Sequence, residues 1–342
     1  MSHYKYNSSW CTEEYKISNL CCAGGVSFQG RSNTMEDTFK VIPNIKGTDV
    51  SIFGIFDGHA GEFASKYACD IIMPCISDKI ANVLSLIEQK STKLNIENNN
   101  VNVAVKVEEE FNISDTEAYI THDNKINYEL LLNNEILNGD KILNERLSKA
   151  ALFCGTTFCL VLVDITNKTI ICANVGDSRA VLCNTKGNAV QLSYDHKPNN
   201  PDELKRIQEN GGYVTNKEGC WRVSDVLATS RSIGDYPLKL KKVIIATPDF
   251  QIMKYKDFRF FPKFIILATD GVWDVISNQS ACDYVKEKIK EQHCGAKSLV
   301  KKAYARKSED NISAIIIRFI KPKKIHQKSS FDPYVGTYEW LR

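Results

Sequence analysis

Apolar positions along this chain fall mostly into short runs. The segments "SIFGIF" (51–56), "TTFCLVLV" (156–163), "TIICANV" (169–175), "AVLC" (180–183), "KFIILAT" (263–269) and "NISAIIIRF" (311–319) have strand length and are rich in β-branched and aromatic residues. Several are apolar at odd and even positions alike. In "TTFCLVLVD", Phe158, Leu160 and Leu162 point one way and Cys159, Val161 and Val163 the other, so both faces of this strand are covered. The connections "DITNKT" (164–169) and "NTKGNA" (184–189) are short enough for antiparallel hairpins. Hairpin-linked strands buried on both faces imply stacked sheets with helices packed outside.

Helical rhythm lies between these runs. Residues 61–90 read as one long helix carrying Phe63, Tyr67, Ile71 and Ile72 on one face, with Pro74 expected to break or kink it. Tyr128 to Leu147 repeats apolar residues at helical spacing. "NPDELKRIQENGG" offers Asn200 as a cap, Pro201 in the first turn, Glu203 to complete a capping box and Gly211 to stop the helix. Residues 279–292 and 296–305 form a late helical pair. Residues 91–127 differ: Asn- and Glu-rich, with little period, they read as a largely disordered insert, the alternative being a short hairpin at Val101–Val107. The expected organisation is an N-terminal extension (1–22), a domain from 23 to 320 and a polar tail (321–342) that docking of Phe331, Tyr334, Tyr338 and Trp340 would order.

Composition narrows the class. With 342 residues, 43% hydrophobic, 25% charged and a net charge of +3, the chain has the balance of a soluble globular protein. Such a charge gives no reason to expect nucleic acid or an anionic membrane as a partner. Twelve cysteines are scattered with no CxxC spacing, and "MSHYKYNSSW" has no apolar core of a signal peptide. A reduced, intracellular setting, cytoplasmic or nuclear, is expected, and a monomer is favoured.

Carboxylates change the picture. Asp57 ends one apolar run in "FDGHAG", Asp177 follows "TIICANVG", Asp270 follows "KFIILAT", and Asp310 immediately precedes "NISAIIIRF". Glu36 and Asp37 add a pair in "NTMEDTF". One acid at a strand end is an ordinary turn former or helix cap. Several desolvated together repel, shift their pKa values or require a cation. An oxygen-only set without a Cys or His cluster favours Mg²⁺ or Mn²⁺ over Zn²⁺.

The ordered set "NTMEDTF", "FDGHAG", "CGTTFCLVLV", "NVGDSRAVL", "SYDHKP", "LATSRSIGD", "LATDGVWDV" and "DNISAI" resembles the metal-dependent serine/threonine phosphatase 2C family, from about Ala23 to Ile320. The resemblance implies an α+β fold, a four-layer α-β-β-α sandwich of two antiparallel sheets flanked by helices. It implies two Mg²⁺ or Mn²⁺ ions, with Asp57 bridging both. The Gly58 carbonyl, Asp270 and Asp310 would serve one ion, Glu36 the other, and Asp37 would orient bound water. Asp177 and Asp274 would hold a possible third, weaker ion. Two ions about 3.5–4 Å apart share a water of lowered pKa that attacks phosphorus in line. His59 would then protonate the leaving Ser or Thr oxygen of a phosphorylated protein substrate, and Thr157 would help hold the site.

Two positions depart from the family pattern. The phosphate-gripping arginine usually stands four residues before the metal-binding glutamate; here Ser32 stands there and Arg31 lies one residue earlier. The expectation is that a local bulge returns Arg31 to the site, the alternatives being weaker phosphate binding or another cation. Asp225 replaces a glycine common before "LA", in a region flanking the cleft. Three rival readings remain. "HCGAKSLVKK" mimics a cysteine-phosphatase loop but has Val300 where that loop needs arginine. A metal-dependent nuclease or small phosphomonoesterase would share the acids but not the ordered motifs. A metal-free binding scaffold of the same fold would have the displaced arginine as its sole support. His196 reads as a loop residue ordering the cleft rim.

Overall fold

The alternation in "TTFCLVLVD" sorts its side chains into two separate cores. Phe158, Leu160 and Leu162 pack into one apolar cluster, while Cys159, Val161 and Val163 pack into another. The strand Phe158–Asp164 is therefore buried on both faces. It belongs to a five-stranded sheet ordered Asp249–Lys254, Thr169–Val175, Phe158–Asp164, Val50–Phe56, Thr38–Ile42. This computed structural model describes residues 10–18, 21–98, 113–147, 152–254 and 262–320.

A second sheet of six strands runs Trp10–Ser18, Cys21–Phe28, Ile312–Phe319, Phe264–Ala268, Arg179–Cys183, Ala189–Gln191. Every pairing in both sheets is antiparallel. The central cluster joins Phe53, Ile55 and Val161 of the first sheet to Ile265, Leu267, Ile315 and Ile317 of the second. On the outer face of the six-stranded sheet, Phe264, Ile266, Ala314 and Ile316 meet the helices Asn278–Lys288 and Ala296–Ala305. On the outer face of the five-stranded sheet, Ile52, Leu160 and Ile171 meet Ile76, Ile80, Leu131 and Ile136 of two long helices. The result is the expected sandwich of helices, two antiparallel sheets and helices. Among the described residues no helix is long and apolar enough to cross a membrane.

Pro74 does not break its helix. The segments Phe63–Tyr67, Ala68–Ile72 and Met73–Asn98 follow one another, and the middle one is a π-turn in which the Met73 amide reaches back to the Ala68 carbonyl. The wider turn absorbs the proline's missing donor and its ring. The insert also begins later than expected. The helix runs through Asn98, a short helix spans Ile113–Glu117, Ile120 bridges Ile126, and Tyr119 is buried against the helix-side core. The hairpin at Val101–Val107 and the aromatic residues of the tail lie outside the described residues. Trp10–Ser18 pairs along Cys21–Phe28, so part of the expected N-terminal extension forms the edge strand of the sheet.

Candidate functional site

Four strand ends deliver their acids to one place because the two stacked sheets finish at the same edge of the sandwich. Glu36, Asp57, Asp177, Asp270 and Asp310 line a single open cleft of about 410 Å³, together with Gly58, His59 and Thr157. Asp57 continues Val50–Phe56, Asp270 opens the helix Asp270–Trp273 after Phe264–Ala268, and Asp310 precedes Ile312–Phe319.

Asp57 is fixed through its backbone. Its amide donates to Thr157 Oγ1 at 2.9 Å, and its carbonyl accepts from the Thr157 amide at 2.9 Å and from Thr156 Oγ1 at 3.0 Å. Thr157 Oγ1 lies 2.7 Å from Ser178 Oγ, tying the Asp57 turn to the residue after Asp177. Gly58 has a further reason to lack a side chain: a Cβ would stand 2.5 Å from the Glu36 carbonyl oxygen and 2.9 Å from Ser65 Oγ. Glu36 accepts from Thr34 Oγ1 at 2.9 Å and from the Gly61 amide at 3.2 Å, and its own amide donates to Asn311 Oδ1 at 2.7 Å. The Asn311 amide donates to Asp310 Oδ1 at 2.7 Å.

Asp37 lies buried beneath the cleft, accepting from Thr269 Oγ1 at 3.0 Å. Lost hydration and the nearby Asp310 charge push its carboxyl up to about 7, against the pull of hydrogen bonds from Ser313 and Thr269. Lost hydration, then Asp270, Asp37, Asp310 and Asp177, raise Asp57 well above the usual carboxylate range. Asp270 is raised in the same way, first by lost hydration and then by Asp177 and Asp274. Asp310 and Asp274 are raised too, again chiefly by lost hydration. Asp274 is not among the cleft-lining residues; its electrostatic neighbours are Lys197, Asp177 and Arg179. Lys197 Nζ sits 2.5 Å from Asp177 Oδ2, so the acid expected to help hold a third ion has an ammonium partner.

His59 Nε2 lies 2.8 Å from Asp235 Oδ2 and 3.0 Å from its Oδ1. Asp235 is itself buried and accepts from Ser232 Oγ at 2.5 Å. Burial works against the charged imidazole, but the Asp235 carboxylate outweighs it and the His59 pKa rises. Gly155 makes room for the pair, since a Cβ there would come within 2.2 Å of Asp235 Oδ2 and 2.4 Å of His59 Nε2. Sequence reasoning assigned Asp235 no role. The sequence signal is an acid ending "LATSRSIGD"; in the structure that acid has a left-handed φ of 55°.

The cluster does not include Arg31. Its Nη1 donates to the carbonyls of Tyr304, at 2.9 Å, and Ser308, at 2.7 Å, and its guanidinium lies 4.0 Å from the centre of the Tyr304 ring. The expected bulge does not return it to the cleft, because the exposed carbonyls ending the helix Ala296–Ala305 hold the side chain there. Glu203 forms no capping box; it turns inward to Arg206, Ser230 and Arg231, and the Asn200 side chain donates to the Asp195 carbonyl. His196 is wholly buried: its Nδ1 accepts from the Gly176 amide at 3.0 Å and its Nε2 faces Asp249 at 3.1 Å.

The donor set of the cleft is oxygen throughout, which suits a hard cation such as Mg²⁺ or Mn²⁺. Among the described residues no group of three or more His, Cys, Asp or Glu side chains is drawn close enough, as it stands, to hold a metal ion. The mutual repulsion that lifts Asp57 and Asp270 marks where positive charge would sit.

The sequence profile described as protein phosphatase 2C matches residues 23–312. The chain belongs to the protein phosphatase 2C family. It is 36% identical over 325 residues to protein phosphatase 1L of Bos taurus, covering 95% of this chain and 78% of the relative. It is 35% identical over 298 residues to probable protein phosphatase 2C 59 of Arabidopsis thaliana, covering 86% of this chain and 79% of that protein. Among solved structures, the crystal structure of serine-threonine phosphatase 2C from Toxoplasma gondii superposes with a TM-score of 0.69 at 24% identity, over 91% of this chain and 99% of the other. That likeness shows the fold. Membership of the family makes this chain a metal-dependent protein phosphatase.

Proposed function

We propose that this phosphatase hydrolyses phosphoserine and phosphothreonine in protein substrates, using two Mg²⁺ or Mn²⁺ ions held at the strand-end cleft. The observation that carries the reading is the convergence of Asp57, Asp270, Asp310, Asp177 and Glu36 on one cleft with His59 beside them. Asp57, the Gly58 carbonyl, Asp270, Asp310 and Glu36, which line the cleft together, are the groups that would hold the ions. When bound, the ions supply Lewis-acid charge and a water activated near neutral pH.

The protein's own groups do the rest. Thr157 holds the Asp57 turn rigid, and Asp37 would accept hydrogen bonds from water at the cleft floor. His59 donates the proton that the leaving serine or threonine oxygen needs. Because Nε2 faces Asp235, the transferable proton is on Nδ1. Asp235 both orients the ring and, against the pull of burial, favours its protonated form. Asp177 and Asp274 would hold a third, weaker cation only by displacing the Lys197 ammonium that now pairs with Asp177.

The test is phosphate release from a phosphothreonine peptide with Mg²⁺ or Mn²⁺, then with excess EDTA, with Asp57→Asn in parallel. Metal-dependent release that the variant loses supports the reading. No release with either metal from folded protein overturns it. Arg31's place outside the cleft is the one observation on the side of the binding-scaffold alternative, and the full set of cleft acids weighs against it.

A further inference from the structure

The hydrolytic reading above, on which this inference rests, brings a phosphoryl dianion to a cleft lined by carboxylates. Bound metal ions neutralise part of that charge. The remaining phosphoryl oxygens are best held by a guanidinium, whose planar fork of N–H donors matches phosphate geometry. With Ser32 in place of the usual arginine, the question is which cation does this.

Most nearby cations are already committed. Arg31 is held by two carbonyls and the Tyr304 ring. Lys197 pairs with Asp177. Arg179 pairs with Asp195 and donates to Asn278 Oδ1. Arg231 is divided between Glu203 and Asp249.

Arg222 differs. It lines the same cleft as Asp57, His59 and Asp270, and no other lysine or arginine does so among the described residues. It is half-buried, and among the described residues its guanidinium makes one hydrogen bond, from Nη1 to the Val226 carbonyl at 2.7 Å, with no carboxylate partner. Two nitrogens therefore remain to donate.

Its platform is built. Arg222 sits in the strand Cys220–Val223, paired with Thr215 of Val214–Lys217. The chain then turns back through Ser224, φ 50°, and Asp225, φ 63°, and the Val223 amide reaches the Leu227 carbonyl at 2.8 Å. Asp225 fixes this turn to the hairpin: its carboxylate accepts from Tyr213 Oη at 3.0 Å and Thr215 Oγ1 at 2.8 Å, and lies 3.1 Å from Lys217 Nζ. A glycine would allow the turn but supply none of these anchors. The acid at 225 thus braces the strand that presents the arginine.

We infer that Arg222 binds the phosphoryl group of the substrate in this enzyme, taking the part that an arginine at position 32 would otherwise play, and that Asp225 positions it. The two departures from the family pattern are then linked.

The experiment compares wild type, Arg222→Gln, which keeps a donor for Val226 but no charge, and Arg222→Lys, which keeps the charge. Each is loaded with saturating Mn²⁺ and followed with p-nitrophenyl phosphate, a phosphothreonine peptide and inorganic phosphate as inhibitor. Loss of a charged hydrogen-bond pair predicts a rise of about tenfold or more in KM for both substrates and in Ki for phosphate in Arg222→Gln, with partial recovery in Arg222→Lys. A KM for p-nitrophenyl phosphate and a Ki that stay at wild-type values overturn the assignment, even with a weakened peptide KM, since Arg222 would then touch only the peptide. Calorimetric binding of inorganic phosphate to the Mn²⁺-loaded proteins needs no turnover. Equal binding by wild type and Arg222→Gln overturns the inference on its own. Failure of wild type to release phosphate counts against the hydrolytic reading instead.

Discussion

Glu203 and Asp57 are carboxylates set among neighbouring carboxylates or cations inside one sandwich, and they meet opposite fates. Glu203, at the start of the helix Pro201–Glu209, accepts from Arg231 Nη2 at 2.6 Å, Arg206 Nη2 at 2.7 Å and Ser230 Oγ at 2.6 Å. Burial works against its charge, but these partners outweigh it and hold its carboxyl down at about 2. Asp57 loses its hydration in the same way but meets Asp270, Asp37, Asp310 and Asp177 instead, and its carboxyl rises. The protein carries the counter-charge for one acid within its own sequence and leaves the other to be neutralised from solution. On the proposed reading, that difference separates an acid that holds the fold together from one that would serve the metal-dependent reaction.

The comparison is broken most sharply by neutralising each acid in turn. Asp57→Asn is expected to lower kcat/KM by a factor on the order of 10³ or more, the scale of metal-supplied charge stabilisation. The same change removes repulsion, so the metal-free variant should unfold at a urea concentration equal to or above that of wild type. Glu203→Ala should do the reverse. It leaves Arg206 without a carboxylate and Arg231 with Asp249 alone, at a cost of about 3 kcal/mol in stability, read as a lower urea midpoint. An Asp57 variant less stable than wild type when metal-free, or a Glu203 variant of unchanged midpoint, would erase the distinction.

Acidity sharpens it further. Asp37 has a folded pKa raised from the ordinary 3.8 to about 7, so the folded state holds its proton where the unfolded chain has released it. Its contribution is fully present below about pH 4 and lost as pH rises towards 7. Glu203, lowered from 4.5 to about 2, contributes stability present above pH 4.5 and lost as pH falls towards 2. Metal-free protein should therefore lose stability between pH 4 and 7, and excess Mg²⁺ should restore it at the upper end. Urea midpoints across that range, with and without Mg²⁺, check both; a metal-free midpoint that rises throughout the range contradicts the sign.

How much of this the sequence discloses depends on the distance over which each signal acts. The two-faced burial of Phe158–Asp164 is local, and the alternation of Leu160 with Val161 predicts both cores. Acids at strand ends are also local, and the sandwich brings them together because its strands are antiparallel and finish at one edge. Of the two outcomes expected at Pro74, a break or a kink, the chain avoids the break through the π-turn Ala68–Ile72, an escape set by tertiary packing that propensity ignores. The extent of Glu203's role was hidden because its partner Arg231 comes from another part of the chain, and a capping box satisfied the local pattern. Arg31 was misplaced for the same reason: the carbonyls of Tyr304 and Ser308 are invisible from its neighbours. Asp235 ends the motif "LATSRSIGD", but nothing local shows that its turn meets His59.

Asp235→Asn tests that last contact. The change removes the charge that holds His59 protonated, so the imidazole pKa should fall towards its ordinary value. kcat should drop about 10²-fold, the usual worth of general acid catalysis, and the alkaline limb of the pH–rate profile should move to lower pH. A fall in kcat with an unmoved alkaline limb would show that Asp235 acts on the fold alone.

The smallest effect is expected from the arginine that lies outside the cleft. Arg31 donates to the Tyr304 and Ser308 carbonyls at 2.9 and 2.7 Å and stacks on the Tyr304 ring. Both carbonyls belong to the end of the helix Ala296–Ala305 and its exit, where cations are favoured by the helix dipole. The side chain is exposed, so water replaces much of what is removed. Arg31→Ala should cost about 1–2 kcal/mol in unfolding free energy and leave the KM for p-nitrophenyl phosphate and the Ki for inorganic phosphate where they were. Arg222→Gln should show the converse: weaker phosphate binding at nearly unchanged stability. A rise in KM with Arg31→Ala would mean that the guanidinium leaves the helix end to meet substrate, and the contrast between an arginine that fastens a helix and one that binds a phosphoryl group would collapse.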